Sequence, residues 1–117
     1  MTEARNSFCL DGVLLVRDAL RYTPAGVPVV TGVLVHQGRH SEAGNEREVK
    51  VEVNVLAAGD MARLLDAAPV GVSLQTEGFV AARSLRNKAL VLHLTTIEFL
   101  EGNQNGFQAQ IQIQEKG

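Results

Sequence analysis

From Val49 to Val55 apolar and polar residues alternate without a break. Val49, Val51, Val53 and Val55 stand between Glu48, Lys50, Glu52 and Asn54. A period of two with one apolar face predicts a half-buried β-strand. The same period occurs earlier, where Phe8, Leu10, Leu14 and Val16 share one parity within a strand predicted over 6–16. Gly12 falls on that face, and its missing side chain allows a sharp bend or bulge. Residues 28–37 differ. Val29, Thr31, Val33 and Val35 alternate with Val30, Gly32, Leu34 and His36, so both faces are largely apolar. Such a strand is buried on both sides or covered by a partner. Two further strands are predicted over 70–82 and 88–100.

The breaks between these runs set the order of elements. Residues 17–26 read as a turn region, with Thr23-Pro24-Ala25-Gly26 supplying Pro and Gly where a tight turn uses them. Residues 38–46 are polar with no periodicity and predict a long, mobile connection. A short helix is predicted over 60–68. Asp60 is its expected N-cap, Met61, Leu64 and Leu65 share one face, and Pro69 stops it. Three strands, one helix and two strands fit an all-β fold, the five-stranded OB-fold Greek-key barrel. The helix between strands 3 and 4 would plug one open end. A small sandwich gives that helix no obvious place. Residues 1–102 are thus expected to form the OB domain. The glutamine-rich tail, 103–117, alternates Phe107, Ala109, Ile111 and Ile113 with glutamines, which fits either an extra edge strand, in this chain or on a neighbouring subunit, or a segment disordered when free.

Composition narrows the function. The chain has 117 residues, enough for one domain and one core. Aromatic content is 4% with no Trp, so the core must rest on aliphatic side chains. Phe8, Phe79 and Phe99 are expected to be part of it. A net charge of −2 excludes polyanion binding by bulk charge, so any such site must come from local clustering. One cysteine, Cys9, rules out an internal disulfide and suits a reducing compartment. The N-terminus shows no signal-peptide pattern, and no apolar run reaches the ~18 residues of a membrane helix. A soluble cytoplasmic protein is the expectation.

The basic residues do cluster. Eight of the 11 Lys and Arg residues lie in three segments: Arg17 and Arg21; Arg39, Arg47 and Lys50; Arg83, Arg86 and Lys88. In an OB barrel these segments flank one face, where charges can track phosphates while the sheet receives bases. Glu42, Glu46, Glu48 and Glu52 dilute the middle cluster. Duplex recognition has no helix or zinc-finger spacing to support it. Catalysis has no support either: there is no phosphate-cradling Gly-rich loop, and Cys9 lacks a neighbour in sequence to activate it. His36, His40, His93 and Cys9 show no recognised metal-site spacing. No catalytic residue, cofactor or metal is expected.

At this point the residues point to a family. Asn6-x-x-x-Leu10-x-Gly12, Thr23-Pro24-Ala25-Gly26-Val27-Pro28, Val35-His36 and Glu42-Ala43-Gly44 are followed by Val55 and Gly59. Gly78-Phe79, Val91-Leu92-His93 and Ile97-Glu98 complete the series. In this order and spacing the chain resembles the primosomal replication protein N (PriB) family, relatives of the single-stranded DNA-binding proteins, over residues 5–101. The resemblance implies an OB-fold homodimer that binds single-stranded DNA. It implies a bridge between that DNA and the PriA helicase, with further primosome proteins, during replication restart. It implies no cofactor and no catalysis, and the lack of a long apolar run leaves no membrane role to expect. Its DNA-contacting basic positions carry over as Arg21, Arg47, Arg83, Arg86 and Lys88. Lys50 joins them by charge, at a position where the best-known members have a Trp. Asn45 and Gln37 also depart from the family pattern. The first stands where those members have an aromatic residue, the second where they have a basic one.

Two other functions fit the same sequence. A general single-stranded DNA-binding protein usually carries an acidic C-terminal tip, whereas this sequence ends Gln-Glu-Lys-Gly. An OB protein-interaction module would use its apolar second strand and leave the basic loops as plain solvated loops.

Overall fold

The computed structural model describes residues 3–100. The predicted tail, 103–117, lies outside the described residues. Within them the elements run β1 (Phe8–Arg17), β2 (Arg21–Tyr22), β3 (Pro28–Glu42), β4 (Asn45–Ala58), α1 (Asp60–Asp66), β5 (Ser73–Ala82) and β6 (Leu90–Phe99). The sheet order is β1-β5-β6-β4-β3-β2, and β1 also pairs with β3. That last pairing closes five long strands into a barrel, with β2 appended to β3. β4 and β6 run parallel and the other neighbours antiparallel. This is the expected OB barrel, with its helix between the third and fourth long strands.

β1 closes the barrel because it serves two partners. Its first half pairs with β5 through Phe8↔Gly78 to Val13↔Ser73, and its second half with β3 through Leu14↔Leu34. At Gly12 a Cβ would stand 2.9 Å from the Val35 carbonyl oxygen, so the bend expected there depends on the missing side chain. The register then slips between Leu14 and Val16. Such a bulge reverses the alternation beyond it. Leu14 is therefore fully buried, whereas Val16, expected on the same face, is 42% exposed.

The core is aliphatic. Leu14, Val30, Leu34, Val55, Leu74, Leu92, Leu94 and Ile97 fill the barrel, and Ala62, Leu65 and Ala68 of the helical segment close one end. The expectation of buried phenylalanines fails: Phe8, Phe79 and Phe99 are 49%, 41% and 43% exposed. Their strand positions face outward or lie at the barrel's ends, and the interior positions are held by aliphatic residues.

Three local expectations are corrected. Residues 38–46 form no long loop. β3 and β4 stay in register to Glu42↔Asn45, and only Ala43 and Gly44 turn the chain. Both have positive φ, 54° and 81°, as a two-residue hairpin turn matched to strand twist requires. The polar run is a two-stranded arm exposed on both faces, which is why it shows no apolar period. Asp60 is not the N-cap. Gly59 takes that place with φ 67° and no side-chain cap, and Asp60 lies in the first turn, where its charge suits the helix dipole. Finally, the fourth long strand begins at Ser73 and the fifth at Leu90, each later than expected.

Candidate nucleic-acid interface

β3, β4 and β6 present an outward face with an open groove of about 310 Å³. Its floor includes Thr31, Val33, Asn54, Leu56 and His93. The register explains the set. Thr31 lies opposite Leu56 and Val33 opposite Asn54, with Leu56 beside His93. Their neighbours Leu34, Val55 and Leu92 point into the core.

Two arginines from distant segments reach this groove. Arg21 comes from β2, held beside β3 through Arg21↔Val29 and Tyr22↔Pro28. The turn behind it is tied by Gly26 N–H to the Thr23 carbonyl at 2.8 Å and by Val27 N–H to Thr23 Oγ1 at 3.1 Å. Arg83 opens the β5–β6 loop, and both arginines line the groove with Asp18. Thr31 Oγ1 donates to the Asp18 carboxylate at 2.7 Å, which directs one acceptor away from a ligand.

The β5–β6 loop is short and internally bonded. Arg83 N–H donates to the Ala89 carbonyl at 2.8 Å and Ser84 N–H to the Asn87 carbonyl at 3.0 Å. The side chains repeat the pattern: Asn87 N–H donates to Ser84 Oγ at 2.9 Å and Ala89 N–H to Asn87 Oδ1 at 3.0 Å. These bonds hold the loop backbone while Arg86 and Lys88 remain exposed. Neither has an ion-pair partner among the described residues.

The groove also has an aromatic flank that sequence reasoning missed. Phe79 and His93 are cross-strand partners on β5 and β6. Their rings stack with centroids 4.9 Å apart and planes inclined by 15°. His93 is half-buried and lines the groove. The usable signal was parity: Leu74, Thr76 and Gly78 face inward, so Phe79 must face out.

The other basic residues divide. Lys50 shares the outward parity of Asn54 and stands four residues further along the arm, about 13 Å at strand rise. Arg47 has the opposite parity and pairs with Glu42 at 2.7 Å. Arg39 is held by Glu46 and Glu48 at 3.1 and 3.4 Å. Arg17 turns inward and donates to the Ala68 carbonyl just beyond α1. The structure thus brings Arg21 and Arg83 together and keeps Arg86 and Lys88 on the adjoining loop. It sets Lys50 further out and puts Arg47 on the other face.

Among the described residues no three His, Cys, Asp or Glu side chains form a metal-binding group. No described helix is long and apolar enough to cross a membrane. Cationic side chains on flexible stems, beside an open β-surface with a stacked aromatic pair, can hold a flexible polyanion that carries planar groups.

The comparisons agree with this geometry. A model described as "another single-strand binding protein family" matches residues 6–96. The replication restart protein PriB of Bordetella pertussis is 35% identical over 98 residues, 84% of this chain and 92% of the relative. This chain belongs to the PriB family. The PriB crystal structure from Ralstonia solanacearum is 39% identical with a TM-score of 0.77, covering 84% of this chain and all of that one. The single-stranded DNA-binding protein of Thermus aquaticus matches at 28% identity and TM-score 0.69, over 86% of this chain and 52% of that chain. The span of the family model, 6–96, takes in the groove residues Arg21, Arg83 and His93.

Proposed function

We propose that this PriB-family chain binds single-stranded DNA along the outward groove and acts in replication restart. One observation carries the reading. Arg21 and Arg83, 62 residues apart in sequence, line the same groove that the Phe79–His93 stack flanks. Phosphates lie against Arg21, Arg83, Arg86 and Lys88, and bases lie on the sheet with one stacked against the aromatic pair. Lys50 extends the path along the arm. The work is binding, without a reaction and without a cofactor.

The protein acts as a homodimer in the cytoplasm. β1 supports the pairing: Val13, Leu15 and Val16 are 38%, 45% and 42% exposed on one strand, an apolar strip that a second copy would cover. In that form it bridges the DNA and the PriA helicase and stimulates unwinding. Residues 1–102 supply the OB domain, and the tail 103–117 is a separate segment.

Photo-crosslinking to a bromodeoxyuridine-substituted oligonucleotide tests the path. Adducts on Phe79, His93 or the 83–89 loop are expected. Adducts confined to β1 or to the Arg47 face would contradict it. A PriA unwinding assay with and without the chain tests the helicase role separately.

A further inference from the structure

The projecting arm carries a histidine pair that the groove does not use. His36 and His40 are four residues apart on β3, a separation of about 13 Å along a flat strand. Yet their Nε2 atoms stand 3.0 Å apart and their ring centroids 5.2 Å apart. Gly38 lies between them and leaves the space they meet in. A Cβ there would be 3.3 Å from His36 Nε2 and 3.5 Å from His40 Nε2. His36 Nδ1 lies 2.9 Å from the Asp11 carbonyl oxygen. That oxygen can only accept, so Nδ1 carries the proton. In the neutral ring His36 Nε2 then offers its lone pair to His40.

We infer that His36 and His40 form a chelating site for a divalent transition-metal cation of the copper(II) or nickel(II) kind. The two Nε2 atoms, 3.0 Å apart, are close enough for one cation to take both once the rings turn their lone pairs toward it. Imidazole donors suit copper and nickel, and copper(II) binds such a site most strongly among the divalent first-row cations. The His36–Asp11 bond is the outer partner that fixes a ligating ring and its tautomer. His40 moves its proton from Nε2 to Nδ1, and the cation replaces the hydrogen bond between the rings. Across the arm, Gly38 faces Val49 and His36 faces Val51. Arg47, opposite His40, is held by Glu42 at 2.7 Å. Water fills the remaining coordination positions.

The test is a titration of copper(II) into the full chain, read by calorimetry and by electron paramagnetic resonance. One ion per chain with coupling to two imidazole nitrogens is expected. His36→Ala and His40→Ala should each weaken binding by about tenfold or more. Gly38→Val should do the same by crowding both rings while keeping both ligands. His93→Gln should bind as the unaltered chain does. Circular dichroism checks that each variant is folded. A His36→Ala/His40→Ala double variant that binds copper as tightly as the unaltered chain would overturn the site. So would a spectrum without two-nitrogen coupling.

Discussion

Phe79 and His93 face one another across β5 and β6, and their rings stack 4.9 Å apart on the outside of the barrel. In a chain without Trp this pair is the aromatic surface beside the groove. The imidazole holds the Phe79 ring in one orientation, so a base can extend the stack without first ordering it. Phe79→Ala is expected to lower single-stranded DNA affinity about 5- to 150-fold, the ~1–3 kcal/mol of one stacked base. Phe79→Tyr should retain most of it. Anisotropy of a labelled oligonucleotide reads both, and an unchanged affinity for the alanine variant would remove Phe79 from the site.

The arginines separate by position. Arg21→Ala and Arg83→Ala should each flatten the log–log salt dependence of binding by about 0.7, the share of one phosphate on a single strand. Arg47→Ala should leave that slope unchanged, because its side chain belongs to the other face of the arm and pairs with Glu42. Titrations at several salt concentrations check this. Equal effects at Arg47 and Arg83 would mean that the DNA wraps the arm.

Gly78 places β5 against β6. A Cβ at this position would collide with the His93 carbonyl, and Gly78 is fully within the ladder opposite Leu94. Gly78→Ala should cost about 3 kcal/mol through forced backbone movement. Urea unfolding measures it. A loss below ~1 kcal/mol would show that the strands separate easily.

Ala43 holds φ 54° in the hairpin turn. An L-residue with a Cβ in this region carries ~1–2 kcal/mol of strain. Ala43→Gly should therefore stabilise the chain by about 0.5 kcal/mol after the entropy glycine adds to the unfolded state. Thermal unfolding reads the sign, and destabilisation would mean that the turn relaxes in solution.

The exposed strip on β1 carries the dimer proposal. Leu15→Asp should convert a dimer to a folded monomer in sedimentation, since burying a carboxylate in an apolar interface is unfavourable by several kcal/mol. A monomer before the change would place the partner surface elsewhere.

Most of the barrel was legible because its strands are half-buried and show it in their alternation. Val49 to Val55 is the plainest case. The arm was not legible, because residues 38–46 are exposed on both faces and polar alternation carries no apolar period. Val16 was misplaced because a bulge is invisible to parity. The three phenylalanines were misassigned because their apolar character says nothing about which side of a strand they occupy. At the candidate groove, Arg21 and Arg83 could be picked out as loop cations, with Arg86 and Lys88 on the adjoining loop. Arg17 and Arg47 could not be set apart from them, since their partners at Ala68 and Glu42 emerge only once β-register is fixed.

The central claim is tested most directly by titrating a labelled single strand of about 30 nucleotides across a salt series. The unaltered chain should bind with a log–log slope of about −2 to −4. A variant with Arg21, Arg83, Arg86 and Lys88 all changed to alanine should lose most of both slope and affinity. If that variant binds as the unaltered chain does, or if the unaltered chain fails to bind even at low salt, the groove is not a single-stranded DNA site.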